Sequence, residues 1–288
     1  VVSPPYSEQL IAEISPRKTE VGKSTRFLYA VRNKSQAGLQ RGFDSFEIET
    51  PLRVEEIGTI RIRHVDGSVN EADFSGLLLD ELPVVRGDMR IEEVFDTRFR
   101  FSFPRIDQDG TVLEIEFENG VLRFGTTFTG RAFNSEVETT LGQGVLAGNA
   151  ADLAVLGFDD GNVQPLGTPL SENLSVAVPI SKNLLANVDM QPSVFTPNGD
   201  GINDQSIVQY DITNIVRLSP VEVLIYDLSG RLVRRLVDGE AVSGRFRQAW
   251  NGRDGAGNIV PPGHYAVSIQ LRAGTGSVRE VKMVRVTY

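Results

Sequence analysis

The 288-residue chain has no cysteine, which removes both a disulfide framework and thiol chemistry. The absence does not fix a compartment; a secreted protein held together by sheet packing is compatible with it. Histidine is nearly absent too, with only His64 and His264. Two histidines, no cysteine and no nucleophile-elbow motif leave no serine or cysteine triad signature. Apolar runs are all far shorter than the ~20 residues a membrane helix needs. No basic stripe with interleaved aromatics is present, so nucleic acid is excluded as an expected partner. The chain starts at Val1 without methionine and shows no basic-then-apolar leader. The expectation is a mature or truncated product whose targeting signal has been removed.

Hydrophobic residues make up 40% of the chain, enough for ordinary cores. A prior of roughly 150 residues per domain suggests two domains. The net charge of −9 is split unevenly. Residues 1–188 hold 28 acidic and 18 basic side chains, and residues 189–288 hold 10 and 11. This break places the expected boundary at residue 188, with domains over 1–188 and 189–288.

The pattern is almost entirely β. Leu113, Ile115 and Phe117 alternate with Glu114, Glu116 and Glu118, and Asn119-Gly120 follows. Asn-Gly favours a two-residue type I′ turn. The expectation is a hairpin with Phe117 facing Leu122 and Ile115 facing Phe124. Further strands read at 24–32, 43–49, 59–65, 90–95, 98–103 and 174–180, with a tight turn at Asp66-Gly67. Only 8–14 and 71–79 carry a weak helical spacing. Glycines interrupt every apolar run over 139–171, which reads as irregular. Residues 181–191 read as a linker or a strand passing between domains. Short strands separated by turn signals indicate sandwiches or barrels.

The C-terminal region reads as seven strands in ~100 residues, which fits an immunoglobulin-like sandwich. It opens on Phe195-Thr-Pro-Asn-Gly-Asp-Gly-Ile-Asn-Asp204. Asn198, Asp200, Asn203 and Asp204 supply side-chain oxygens there, while Gly199 and Gly201 let the backbone curl. Hard cations take such oxygen ligands, so the candidate site is calcium on Asn198, Asp200, Asn203, Asp204 and the backbone carbonyl near Ile202. The other reading is a loop closed by Asx-turn hydrogen bonds. The bidentate twelfth-position Glu of an EF-hand is absent.

Phe195–Asp204 resembles the FTPNGDGxND opening of C-terminal domains in bacterial surface proteins. Val223–Val233 (VLIYDLSGRLV) resembles the next block of that family, and Trp250–Tyr265 (WNGRDGAGNIVPPGHY) the third. Together they resemble the immunoglobulin-like domain of the flagellar hook-capping protein and the related gliding-motility and type IX secretion C-terminal domains. The family carries Asp after the Trp where this chain has Asn251. The resemblance spans residues 191–288 and implies an exported protein with a sorting, attachment or structural end domain. Residues 1–188 resemble nothing we recognise.

Other motifs read as structural. Asp107-Gln-Asp109-Gly110 is a turn. Gly142-Gln-Gly144 lacks the strand and helix that a nucleotide loop requires. Trp250 and Tyr265 read as core aromatics. Glu114, Glu116 and Glu118 lie ~6.8 Å apart on one strand face. Paired carboxylates at that spacing can hydrolyse glycosides, but the polar face of a half-exposed hairpin is the simpler reading. The expected fold is all-β, with two β-sandwich domains, the C-terminal one immunoglobulin-like. The expected function is a non-enzymatic structural component of a secreted or cell-surface bacterial assembly, such as a filament, that contacts other copies or other surface proteins. One alternative is a polysaccharide-binding module; another is a glycoside hydrolase on the acidic face. Val1–Ser7, with two prolines, reads as an extended arm that reaches another domain or copy.

Overall fold

The computed structural model describes residues 6–35, 41–137, 141–151, 173–179, 183–274 and 276–288. Among them there is no helix. The chain divides into two compact units, Val1–Pro179 and Ile180–Tyr288.

In the first unit, one sheet holds β1 (Gln9–Ser15), β2 (Ser24–Lys34), β4 (Glu56–Arg63), β5 (Val69–Asp73), β9 (Val112–Gly120) and β13 (Leu146–Ala147), in the order β13-β1-β2-β9-β4-β5. The other holds β3 (Phe43–Glu49), β6 (Val84–Arg86), β7 (Met89–Phe95), β8 (Arg98–Ile106), β11 (Gly130–Phe133) and β12 (Gln143–Gly144), in the order β12-β11-β3-β8-β7-β6. A two-residue pair, β10 (Thr126–Thr127) with β14 (Ser175–Val176), adds a small ribbon. Alternate residues of both sheets point inward. They build a phenylalanine-rich core in which Phe27 meets Phe128 at 5.2 Å and Phe99 meets Phe117 at 5.4 Å between ring centroids. Each such pair adds ~0.5–1.5 kcal/mol beyond its buried area.

Several expectations give way here. Residues 9–15 form a strand, because pairing with β2 over the whole segment buries Leu10, Ala12 and Ile14 on one face. Residues 71–79 are not helical either. Ala72 and Phe74 alternate into the core, and Gly76, at φ 73°, breaks any helix. The Asn119-Gly120 hairpin does not form. β9 is a central strand, with Phe117 opposite Phe27 of β2 and Ile57 of β4. Asn119 is buried and donates its Nδ2 to Leu52 O at 2.9 Å. Gly120 continues the ladder opposite Ser24, and Phe124 is left exposed. The Asp66-Gly67 turn does join β4 to β5, with Gly67 at φ 87°.

Only Tyr6 and Ser7 of the expected N-terminal arm lie among the described residues, and they are not an arm. Tyr6 is buried in the core, and Gln143 Oε1 accepts both backbone N–H groups at 2.7 and 2.9 Å. Most of the irregular 139–171 segment lies outside the described residues. Its described part, 141–151, adds β12 to one sheet and β13 to the other. Ala150 and Ala151 both donate N–H to the Glu13 carboxylate.

The second unit pairs a three-stranded sheet, β15-β17-β20, with a five-stranded one, β16-β22-β21-β18-β19. The strands are β15 (Leu185–Gln191), β16 (Val194–Phe195), β17 (Ser206–Ile212), β18 (Ser219–Asp227), β19 (Leu232–Ala241), β20 (Gly244–Trp250), β21 (Gly263–Ala273) and β22 (Gly276–Val286). All seven strands expected from 193 onward are present. β15 adds an eighth from the segment read as a linker, because Leu185 and Met190 are buried in this unit's core. Residue 188, the break in charge, lies inside β15. The polar side of β17 is tied by Asp211, fully buried, which accepts two hydrogen bonds from Arg245 at 2.9 and 3.1 Å and one from Asn187 at 2.7 Å.

Candidate functional site

The loop read as a calcium site is built around one carboxylate. Asp204 Oδ1 accepts the N–H of Gly199 at 2.6 Å, and Oδ2 accepts that of Gly201 at 2.7 Å. Both glycines and Asn203 have positive φ, which turns successive N–H groups inward. Asp200 Oδ1 accepts the Ile202 N–H at 2.8 Å, and its Oδ2 accepts Asn198 Nδ2 at 3.0 Å. These bonds hold the Asp200 carboxyl below the usual range, the Ile202 N–H contributing most. Asn198 Oδ1 accepts the Asp200 N–H, and the Ile202 carbonyl accepts Thr196 Oγ1. The structure therefore brings Asn198, Asp200, Ile202, Asn203 and Asp204 together in one exposed turn. Its centre is lined by N–H donors facing carboxylates. These hydrogen bonds close the loop in the manner of Asx turns.

The three blocks that carry the family resemblance meet at one end of the sandwich. Phe195 packs edge-on against Trp250 at 5.3 Å, and Trp250 against Tyr265 at 5.2 Å. Trp250 is fully buried and donates Nε1–H to Arg253 O at 3.0 Å. Gly252, at φ 66°, lies so close to the 195–204 loop that a Cβ would stand 2.5 Å from Pro197 Cγ. Asp254 closes its own turn by accepting N–H groups of Ala256 and Asn258 at 2.9 and 2.8 Å. Asp227 does the same for Ser229 and Arg231. The Ser229 hydroxyl does most to pull its carboxyl down to about 2, and the Arg231 N–H and guanidinium add to this. Asn251, at the family's Asp position, accepts Arg234 Nη1 at 3.2 Å. The motif carboxylates Asp200, Asp204, Asp227 and Asp254 each accept hydrogen bonds from within their own turns. A cleft of only about 180 Å³ lies among Arg231, Val233, Asp254, Ile259 and Tyr265.

Residues 205–275 match the model of the FlgD Ig-like domain family. The match takes in the second and third blocks and leaves the 195–204 loop outside. No curated protein matches the chain. Among solved structures, it is similar to PorZ, a surface component of the type IX secretion system of Porphyromonas gingivalis, at 24% identity over 35% of this chain and 12% of that one, with a TM-score of 0.24. It is also similar to dimeric latent PorU of the same bacterium, at 10% identity over 98% and 34% and a TM-score of 0.31. A third is BcpA, the major pilin subunit of Bacillus cereus, at 9% identity over 97% and 66% and a TM-score of 0.30. Enzymes stand among the similar structures as well. The chain spans about an eighth of PorZ and a third of PorU. Superpositions this loose separate none of these roles.

The acidic strand pairs with arginines of the neighbouring strands. Glu114 is buried and sits between Arg63 Nε at 2.7 Å and Arg61 Nη1 at 3.3 Å. Glu118 pairs with Arg26 at 3.2 Å. Glu116 is half-buried beside the bulge of β4. The three are not gathered in a cleft. A cleft of about 700 Å³ in the first unit has Lys18, Glu20, Lys23 and Arg26 on its rim and Val178 and Pro179 at its side. Asp107–Gly110 is a turn, with Gly110 at φ 82° and Asp109 accepting the Ser35 N–H. Gln143 of the Gly142–Gly144 run is the clamp on Tyr6 and Ser7. Sequence reasoning missed the buried ion pairs. They join residues of neighbouring strands and are legible only once the register is known.

Proposed function

We propose that the chain is a non-catalytic structural module of an exported bacterial surface protein, its Ig-like unit acting as the attachment or sorting domain. The observation that carries this is that the carboxylates of the family motifs, Asp200, Asp204, Asp227 and Asp254, close their own turns by accepting hydrogen bonds from within them. The acidic face supports no hydrolase. Glu114 is buried between two arginines, and Glu116 and Glu118 do not join it in a cleft. A polysaccharide platform has little support among the described residues. The rings of Phe95 and Phe133 are already covered by the guanidinium groups of Arg98 and Arg100, at 4.3 and 4.5 Å. The test is labelling of intact source cells with an antibody against residues 6–137, before and after deletion of 183–288 from the gene. Label on the surface that is lost with the deletion supports the reading. Label indifferent to the deletion, or turnover of a glycan by the purified chain, removes it.

A further inference from the structure

The outer face of the five-stranded sheet of the second unit carries no covering element among the described residues, yet its centre is apolar. The register puts Leu232, Tyr226, Ala266 and Met283 in one row across β19, β18, β21 and β22. The next row holds Leu224, Ser268 and Val281. Leu232, Val281 and Met283 are 46, 46 and 47% exposed. Leu224 and Ser268 between them are buried. An alternating strand on a solvated face should be polar at the exposed positions, and exposed apolar side chains rimmed by charge mark an interaction surface.

The rim is basic. Arg231, Arg235, Arg272, Arg279 and Arg285 stand around the patch against Glu222, Asp227 and Asp238. Glu222 is shared by Arg235 and Arg272 at 3.0 and 2.7 Å. Arg279 and Arg285 form no ion pair among the described residues. Two such faces would repel one another, so the occupant must be acidic.

The first unit has a surface of that kind. Residues 71–96 hold eight carboxylates and two arginines. This segment contains β5 and β6, the last strands at one side of each sheet, and the loop that joins them. Leu78 and Val85 are exposed there at 65 and 56%. Glu81, Asp88, Glu93 and Asp96 are exposed and form no ion pair among the described residues. Both edge strands are short or charged, which disfavours strand addition and leaves a side-chain contact.

We infer that the apolar, arginine-rimmed face of the Ig-like unit docks onto the acidic β5–β6 edge of a second copy of this chain. The contact is heterologous, so a pair of copies is left with one free face and one free edge, and association proceeds head to tail. This inference rests on the assembly reading above but is tested by solution mass, independently of cell-surface location.

The test is sedimentation velocity of the purified chain over a concentration series, at about 0.05 and 0.5 M salt. Mass that grows with concentration at low salt, with affinity at least ~10-fold weaker at high salt, is expected for a charge-matched contact. Two variants follow, Val281→Glu/Met283→Glu on the face and Glu81→Lys/Val85→Lys on the edge, each checked for an unchanged melting transition. Each alone is expected to be monomeric. Mixed, each supplies the surface the other lacks, and the mixture should stop at a 1:1 dimer. An unmodified chain that stays monomeric throughout, association that survives either variant, or a mixture that does not dimerise overturns the inference.

Discussion

Asp204 occupies the centre of its loop as a bound anion would occupy a ring of inward N–H groups, and this one carboxylate decides what the loop needs. If these hydrogen bonds alone hold the loop, the melting temperature should be the same in excess calcium and in excess chelator. Asp204→Ala should lower stability by about 1–2 kcal/mol, from two lost charge-assisted bonds. A chelator-dependent transition in the unmodified chain would restore the calcium reading. Asp227 offers a pH test at the same scale. Its carboxyl is depressed in the folded state, so the stability it lends is complete above the ordinary carboxylate range. That stability is lost as pH falls through about 2. The carboxyl chemical shift should titrate near that value, and Ser229→Ala should raise the midpoint, because the Ser229 hydroxyl is the largest contributor. The oxygen-bearing residues of both turns are visible in the sequence. Which of their oxygens face N–H groups is not, because that depends on glycine and asparagine φ values at Gly199, Gly201 and Asn203.

Strands were legible where alternation was strong, and misplaced where a local signal competed with pairing. β3 is where alternation puts it. Asn119-Gly120 has the strongest turn signal in the first unit, yet it lies in a strand hydrogen-bonded on both sides. Local turn preference is worth only a few tenths to about one kcal/mol, and two ladders plus a buried Asn119 amide outweigh it. Asn119→Ala should therefore destabilise the first unit by ~1–3 kcal/mol, through the Leu52 carbonyl left without its donor. A surface hairpin turn would tolerate the change. In β17, Asp211→Ala strands Arg245 without its carboxylate. About 3–5 kcal/mol is expected from breaking a buried pair. Denaturant unfolding of Asp211→Ala, Arg245→Ala and the double variant should show the double less than additive. β15 was left open between linker and strand because its apolar positions, Leu185 and Met190, straddle a bulge that shifts the period.

At the scale of the molecule, the two units have separate hydrophobic cores. The second unit includes β15, so its independent folding depends on where it is cut. Residues 183–288 expressed alone should fold cooperatively. A version starting at 192 lacks β15, exposes an edge of β17 and leaves Asp211 without Asn187. It should melt lower or aggregate. Equal melting of the two versions would mean that β15 contributes nothing to the fold. The charge break at residue 188 pointed to two domains. Charge is a surface property, however, and the boundary is set by burial, which follows Leu184 and Leu185 into the second core.

Composition and alternation alone determined that this is an all-β protein of two units without thiol chemistry, and three ordered motifs determined that its C-terminal part is Ig-like. These features are local, and period-two patterning and turn residues act over a few positions. Only the tertiary structure decided that the acidic strand is neutralised by Arg61 and Arg63, that the 198–204 loop closes on its own carboxylate, and that an apolar face remains open on the five-stranded sheet. Each of these depends on which strands are neighbours and in what register. Strand pairing over long sequence separations is chosen by the cooperative burial of the whole core, which no short stretch of sequence encodes.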